Sequence, residues 1–172
     1  NIITILMEEK VTSDLVGQRD LRIQKLQQLV KLGINPYPSK SFRKDSIGDV
    51  LEDFEKFDGD ETVLAGRLIA WREHGKLIFA NILEQTGSIQ LMIRKDDLVK
   101  DLKKGYLGWD NLQLLDIGDF VEAYGVVGKT KTGQISLMVK SVRLLTKAIR
   151  PIPRELENKE QRYRRRYLDL VI

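Results

Sequence analysis

Lys76-Leu77-Ile78-Phe79-Ala80-Asn81-Ile82-Leu83-Glu84-Gln85-Thr86-Gly87-Ser88-Ile89-Gln90-Leu91-Met92-Ile93-Arg94 is the stretch that decides the fold. Its apolar residues recur with a period of two, and the turn signal Thr86-Gly87 splits the run into two half-buried strands. In the first strand Ile78, Ala80 and Ile82 form the core row, which places Leu77, Phe79 and Asn81 on the opposite face. In the second, Ile89, Leu91 and Ile93 face the core, so Gln90, Met92 and Arg94 share the outer face with Phe79.

The same period continues on both sides. Strands are expected near Val63 to Glu73, Lys76 to Glu84, Ser88 to Arg94, Asp119 to Lys129 and Gln134 to Leu145, with further turns at His74-Gly75 and Thr132-Gly133. The first three form a meander. Between the third and fourth, Asp96 to Asp116 reads as a short helix and an irregular stretch holding Gly105, Gly108 and Trp109. Five strands with a helix between the third and fourth fit an oligonucleotide-binding barrel, the OB-fold. The rival is a generic antiparallel sandwich, but closure of the barrel also removes exposed edges. The fold class is mainly β with flanking helices (α+β).

Ahead of the barrel, Ser13 to Leu32 lacks Pro and carries Ile23, Leu26 and Val30 at helical spacing before Gly33, which predicts a helix with one apolar stripe. Ile34-Asn35-Pro36-Tyr37-Pro38 then forces an extended strap. A second helix is expected from a cap at Asp45 or Ser46 to Phe57, with Val50, Leu51 and Phe54 inward, ending at Asp58-Gly59-Asp60. Behind the barrel, Arg150-Pro151-Ile152-Pro153 is a stiff link and Glu155 to Ile172 returns to helical composition, with Tyr167, Leu168, Leu170, Val171 and Ile172 crowded at the end. That crowding reads as a chain interrupted at the start of another domain. Residues 1–12 are expected as a disordered start, in which Met7-Glu8-Glu9-Lys10 resembles a natural beginning and 1–6 an upstream or vector-derived segment. Residues 13–60 form the front helices and strap, 61–148 the barrel, and 149–172 the linker and the truncated start of the next domain.

Composition narrows the chemistry. The chain has 172 residues, 42% of them hydrophobic, enough for one compact core. Lys plus Arg number 29 against 25 Asp plus Glu, a mild basic excess that favours a polyanionic partner without requiring one. The absence of Cys excludes disulfides, thiolate metal sites and a cysteine nucleophile, and suits a reducing cytoplasm. No apolar run approaches the roughly 18 residues that span a bilayer, and Ile2 to Leu6 lacks the flanks of a signal peptide, so no membrane partner is expected.

An outward ring, amide and cation suit single-stranded nucleic acid, since a phenylalanine stacks on a base while an amide reads its edge. Spacing leaves equally open that Phe79 packs beneath the strap and that Gln90 is a solvated strand residue. Gln134 has outer parity if Ile135, Leu137 and Val139 face inward, and it follows Lys129-Thr130-Lys131-Thr132-Gly133, a loop that either meets phosphate or is an ordinary hairpin kept soluble by Lys129 and Lys131. Arg72 shares parity with Leu68 and Ala70, and would reach the outer face only through a bulge or a strand end. Arg19, Arg22 and Lys25 form a basic stripe on the first helix, readable as a phosphate contact or as a solvated face. The run Arg164 to Arg166 carries the same two readings. His74 is the sole histidine and reads as a turn residue. No metal spacing, phosphate-binding glycine loop or paired carboxylates occur, so no reaction centre is visible.

From about Arg19 to Ile172 the chain resembles bacterial-type lysyl-tRNA synthetase, a class II family. The resemblance is carried by Arg22-x-x-Lys25-Leu26 with Gly33-x-x-Pro36-Tyr37-Pro38, by Ala65-Gly66-Arg67, Gly75-Lys76-x-x-Phe79, Gly87-x-Ile89-Gln90-Leu91 and Lys129-Thr130-Lys131-Thr132-Gly133. Two later segments extend it: Leu144 through Lys147 and Ala148 to Arg150-Pro151-Ile152-Pro153, and Arg162-Tyr163-Arg164-Arg165-Arg166-Tyr167-Leu168-Asp169-Leu170. Aspartyl and asparaginyl enzymes share the barrel and a similar junction; the front helix and the Pro-Tyr-Pro strap favour lysine. The resemblance implies that Phe79 stacks on the central anticodon base, Gln90 reads its edge and Arg72 adds a hydrogen bond or stacking. Gln134 stands where relatives often carry Glu, so contact is implied there but no role that needs a carboxylate. The family's whole reaction joins lysine to its tRNA through an adenylate formed from ATP with magnesium, in a homodimer. None of those catalytic residues lies in this chain, which would hold no cofactor itself.

Three functions follow as expectations. The first is the anticodon-binding module of such a ligase, with the lysine tRNA as partner. The second is a free-standing barrel that binds single-stranded nucleic acid or tRNA. The third is a scaffold in which Phe79 anchors a protein interface.

Overall fold

The computed structural model describes residues 2–151, with side chains from residue 17 onward. The helix expected over Glu155 to Ile172 and its arginine run lie outside the described residues. A long helix α1 (Ile2–Lys31) leads into the strap, followed by α2 (Ile47–Glu52) and α3 (Phe54–Phe57). Five strands come next: β1 (Glu61–His74), β2 (Leu77–Glu84), β3 (Gly87–Arg94), β4 (Phe120–Lys129) and β5 (Ile135–Thr146). They close into a barrel in the order β1-β2-β3-β5-β4, antiparallel except for the parallel β3–β5 pair. The sandwich alternative is thereby set aside.

The expected core rows hold. Ile78, Ala80, Ile82, Ile89, Leu91 and Ile93 are buried together with Leu137 and Val139, and the barrel closes around them. Three register shifts shape it. That of β1 against β2 falls between Leu68 and Ala70, and those of β4 against β5 between Phe120 and Val121 and between Tyr124 and Gly125. At Gly125 a Cβ would lie 2.2 Å from the Met138 carbonyl oxygen, so the strands can approach this closely only with glycine. Gly125→Ala is expected to cost about 1–3 kcal/mol of stability by overpacking against backbone, measurable by chemical denaturation.

Three expectations need correction. Residues 2–12 are not a disordered start: α1 begins at Ile2, because nothing from Ile2 to Val16 is a Pro or Gly that would break it and Gly17 alone does not. Among residues 17–31 of α1 the buried side chain is Leu29 at 0% exposure, whereas Val30 is 56% exposed. Leu29 is selected by the helix end, where Gly33 at φ 77° lets Ile34 N–H reach back to the Leu29 carbonyl at 3.0 Å and Gly33 N–H to Val30 at 2.9 Å. Between β3 and β4 there is no α-helix but two short 3-10 turns, Leu102–Lys104 and Trp109–Leu114. Gly105 at φ 81° ends the first and Gly108 sits between them, so no α-helical turn propagates.

The second helix starts as expected, with Ser46 Oγ accepting the Asp49 N–H at 3.1 Å, but breaks at Asp53 into α2 and α3. The strap runs across β4 and β5, where Glu122 accepts Ser41 Oγ–H at 2.6 Å and Phe42 N–H at 2.5 Å, and Arg143 pairs with Glu122 at 2.9 Å and donates to the Lys40 carbonyl at 2.9 Å.

Candidate nucleic-acid interface

One cleft of about 1030 Å³ opens on the outer face where β1, β2, β3 and β5 meet the β4–β5 hairpin. Phe79, Gln90, Arg72, Gln134, Lys129 and Lys131 all line it. Phe79 pairs across the sheet with Met92 on β3 and with Arg72 on β1, so ring, thioether and guanidinium share one face. Arg72 arrives there through the bulge beside Ile69. After it the strand parity reverses, turning Trp71 toward the core and Arg72 outward. Gln90 is 6% exposed, and its amide oxygen accepts the Ser136 hydroxyl at 3.1 Å.

The rim is the β4–β5 hairpin. Thr130 N–H donates to the Gln134 carbonyl at 2.9 Å, Gly133 N–H to the Thr130 carbonyl at 2.8 Å, and Gly133 adopts φ 84°. This geometry holds Lys131 and Gln134 exposed at the mouth, while the Lys129 ammonium lies 4.4 Å from the centre of the Phe54 ring.

Sequence reasoning left several lining residues off its list of candidates. His74, read as a turn residue, is the last residue of β1 and meets the Phe79 ring edge-on, with centroids 6.4 Å apart at 63°. Only the bulge, which leaves no mark in the sequence, turns it that way. Met138 and Lys140 also line the cleft, and the even parity that placed Gln134 outside continues through Ser136, Met138 and Lys140, so that signal was available. Lys140 pairs with Glu61 at 2.5 Å; the hydrogen bonds from Lys140 and from Tyr124 hold the Glu61 carboxyl below its usual value, and the bond to Glu61 holds the Lys140 ammonium above its own. The cations lining the cleft are Arg72, Arg94, Lys129, Lys131 and Lys140, against one carboxylate, Asp97, which lies 4.0 Å from Arg94. A site of this charge favours an anion and offers a stacking surface at its floor.

Arg19, Arg22 and Lys25 are not brought to this cleft. The Arg22 guanidinium donates to the Ala148 carbonyl at 2.9 Å and the Ile117 carbonyl at 3.0 Å, and Lys25 pairs with Asp116 at 2.7 Å. These contacts dock α1 beside the start of β4, whereas the cleft lies at its other end. Arg19 is exposed. Arg22→Ala is expected to lower stability by about 1 kcal/mol, read from a denaturant midpoint.

Among the described residues no group of three or more His, Asp or Glu could hold a metal ion, and no helix is long and apolar enough to cross a membrane. Residues 62–145 match the family model of the OB-fold nucleic acid binding domain. The chain is 38% identical over 169 residues to a lysine-tRNA ligase of Moorella thermoacetica, an alignment covering 96% of this chain and 33% of that protein. It is 37% identical over 169 residues to that of Carboxydothermus hydrogenoformans, again across 96% and 33% of the two chains. Against that of Staphylococcus aureus it is 38% identical over 173 residues, covering 94% of this chain and 34% of the relative. The chain therefore spans about a third of the length of the curated relatives it matches. Barrel topology and sequence similarity converge: the closed five-stranded barrel coincides with the stretch that matches the OB-fold nucleic acid binding domain, and the chain as a whole is similar to lysine-tRNA ligases over about a third of their length.

Proposed function

We propose that this chain recognises the anticodon of the lysine tRNA as the N-terminal part of a longer ligase. The observation that carries the reading is the gathering of Phe79, Gln90, Arg72, Lys129, Lys131 and Gln134 around one cleft. Phe79 gives a flipped-out base a surface on which to stack, the Gln90 amide meets that base's edge, and Arg72 closes on the same base from β1. Lys129 and Lys131 neutralise the backbone phosphates, which supplies affinity without base selectivity. Gln134 offers neutral contact at the hairpin and does not repel phosphate. Arg22 and Lys25 act by holding α1 to the barrel, and Arg19 is left as the member of the helical stripe available to a polyanion.

In this reading residues 13–60 are the front segment, 61–148 the anticodon-binding barrel and 149–172 the passage to a catalytic domain. The whole cytoplasmic enzyme, a homodimer, would join lysine to its tRNA using ATP and magnesium. In the same reading ATP and magnesium act in the catalytic part, and this chain by itself would bind without catalysing.

Amide chemical-shift mapping tests the placement. Titrating an anticodon stem-loop of the lysine tRNA should move signals of β2, β3 and residues 129–134, with α1 unaffected between Arg22 and Leu29. Shifts confined to α1, with none on β2 or β3, would contradict the assignment.

A further inference from the structure

β5 ends at Thr146, and the backbone polar groups just beyond it are taken up one after another by segments from elsewhere in the chain. Lys147 N–H donates to the Pro36 carbonyl at 3.3 Å, and the Lys147 carbonyl accepts the Tyr37 hydroxyl at 3.1 Å. Ala148 N–H donates to Asp119 Oδ1 at 2.8 Å, and the Ala148 carbonyl accepts the Arg22 guanidinium at 2.9 Å. A peptide unit is planar, so a bond to its oxygen or to its N–H restrains the whole unit. Successive peptide planes are therefore held: by Pro36 the plane between Thr146 and Lys147, by Tyr37 and Asp119 together the plane between Lys147 and Ala148, and by Arg22 the plane between Ala148 and Ile149.

The partners are themselves anchored. Arg22 also donates to the Ile117 carbonyl at 3.0 Å, Lys25 pairs with Asp116 at 2.7 Å, and the buried Lys147 ammonium bonds both Asp116 and Asp119. Arg22-x-x-Lys25, Pro36-Tyr37 and Lys147-Ala148, far apart in the sequence, thus meet at one node, and none of them lines the cleft. The need to satisfy polar groups does not by itself require this arrangement. Ala148 and Ile149 are half-buried and Arg150 is exposed, so water is at hand for the amides and carbonyls there.

We propose that α1 and the strap form a brace that sets the direction in which the chain leaves the barrel, with Arg22 and Tyr37 as positioning residues. Arginine suits the task because its rigid fork donates to carbonyls on two separate segments at once, whereas a lysine ammonium on its flexible stem is a single point of attachment. A direction set at Ala148 is passed on: Pro151 and Pro153 follow in the sequence, and a proline fixes its own φ and restricts the residue before it. The brace stands on these bonds whether or not the cleft reads an anticodon. Only its consequence rests on that reading, in which it would hold the catalytic part at a set angle to the face carrying Phe79 and Gln90.

The test measures residual dipolar couplings and amide order parameters on this chain without RNA. In the parent, the Ile149 and Arg150 N–H couplings should fit the same alignment tensor as β1 to β5, with order parameters near the value of about 0.85 found for rigid backbone. Arg22→Ala should take both residues out of that fit and lower their order parameters below about 0.6, with β1 to β5 unchanged. Tyr37→Phe should move them less, because Asp119 still holds the same peptide plane. If Ile149 and Arg150 are already mobile in the parent, a result that depends on no variant folding, no direction is set and the proposal fails. If Arg22→Ala loosens α1 but leaves Ile149 and Arg150 in the barrel's fit, Arg22 only docks the helix and the brace is refuted. None of these measurements involves RNA, so refuting the brace leaves the anticodon reading standing, and a failure to bind the stem-loop leaves the brace standing.

Discussion

Lys147→Met is expected to lower folding stability by about 3–5 kcal/mol at neutral pH, the cost of leaving a buried carboxylate without its counter-charge. Lys147 and Asp119 are both 0% exposed, and the Lys147 ammonium donates to Asp119 at 2.8 Å, to Asp116 at 2.5 Å and to the Leu114 carbonyl at 2.8 Å. The same residue ties the strap to the barrel: its N–H reaches the Pro36 carbonyl at 3.3 Å and its carbonyl accepts the Tyr37 hydroxyl at 3.1 Å. Burial is the strongest influence on Asp119 and holds its carboxyl above the usual value, although the Lys147 charge and the hydrogen bonds from Lys147, Ala148 N–H and Asp116 N–H oppose it. An acid raised in this way binds its proton more readily folded than unfolded, so its cost is present at neutral pH and is relieved as pH falls toward the unfolded value of 3.8. Without Lys147 that relief should grow, and the stability gap between variant and parent should narrow on acidification from pH 7 toward about pH 4. Asp116 carries the opposite sign. Burial raises it, but the hydrogen bonds and charges of Lys147 and Lys25 prevail and hold it below its usual value, so its contribution is present above 3.8 and lost below. Denaturation at several pH values measures both effects. A neutral-pH penalty under about 1 kcal/mol would show that the buried triad does not hold as an ion pair.

Phe79→Ala is expected to weaken binding of the lysine anticodon stem-loop by about 1–3 kcal/mol, the contribution of one base stacked on an aromatic ring. Stability should change by less than about 1 kcal/mol, because the ring faces the cleft and its partners there are His74, Met92 and Arg72 rather than the barrel core. Stacking releases no counterions, so the loss should be the same at low and high salt, whereas Lys131→Ala should cost affinity that shrinks as salt rises. Calorimetric titration of both variants at two salt concentrations separates the two contributions. A collapse of the melting temperature in Phe79→Ala would make the residue structural.

The barrel was legible because its signal is local. Alternation in Ile78-Ala80-Ile82 and Ile89-Leu91-Ile93 identifies the inner face, and once that is known Phe79, Gln90 and Gln134 have nowhere to point but outward. Arg72 and His74 were harder, since a single inserted residue at Ile69 reverses parity and nothing in Leu68-Ile69-Ala70 marks a bulge. The basic stripe shows the opposite failure. Arg22 and Lys25 fall at regular helical spacing, but their partners are the Ala148 and Ile117 carbonyls and Asp116, more than ninety residues away along the chain. Pattern along a helix cannot reveal a partner supplied by a distant loop. Val30 was preferred to Leu29 for the same reason, as the turn at Gly33 and Ile34 decides which of the two is covered.

The central claim, that the outer face of this barrel reads a lysine anticodon, is tested most directly by titrating the chain with anticodon stem-loops of lysine, aspartate and asparagine tRNAs at several salt concentrations. The account predicts that affinity for all three falls with salt while the preference for the lysine loop persists. Equal affinities for the three loops that fall together as salt rises would contradict it, and would leave a basic barrel that holds RNA without reading it.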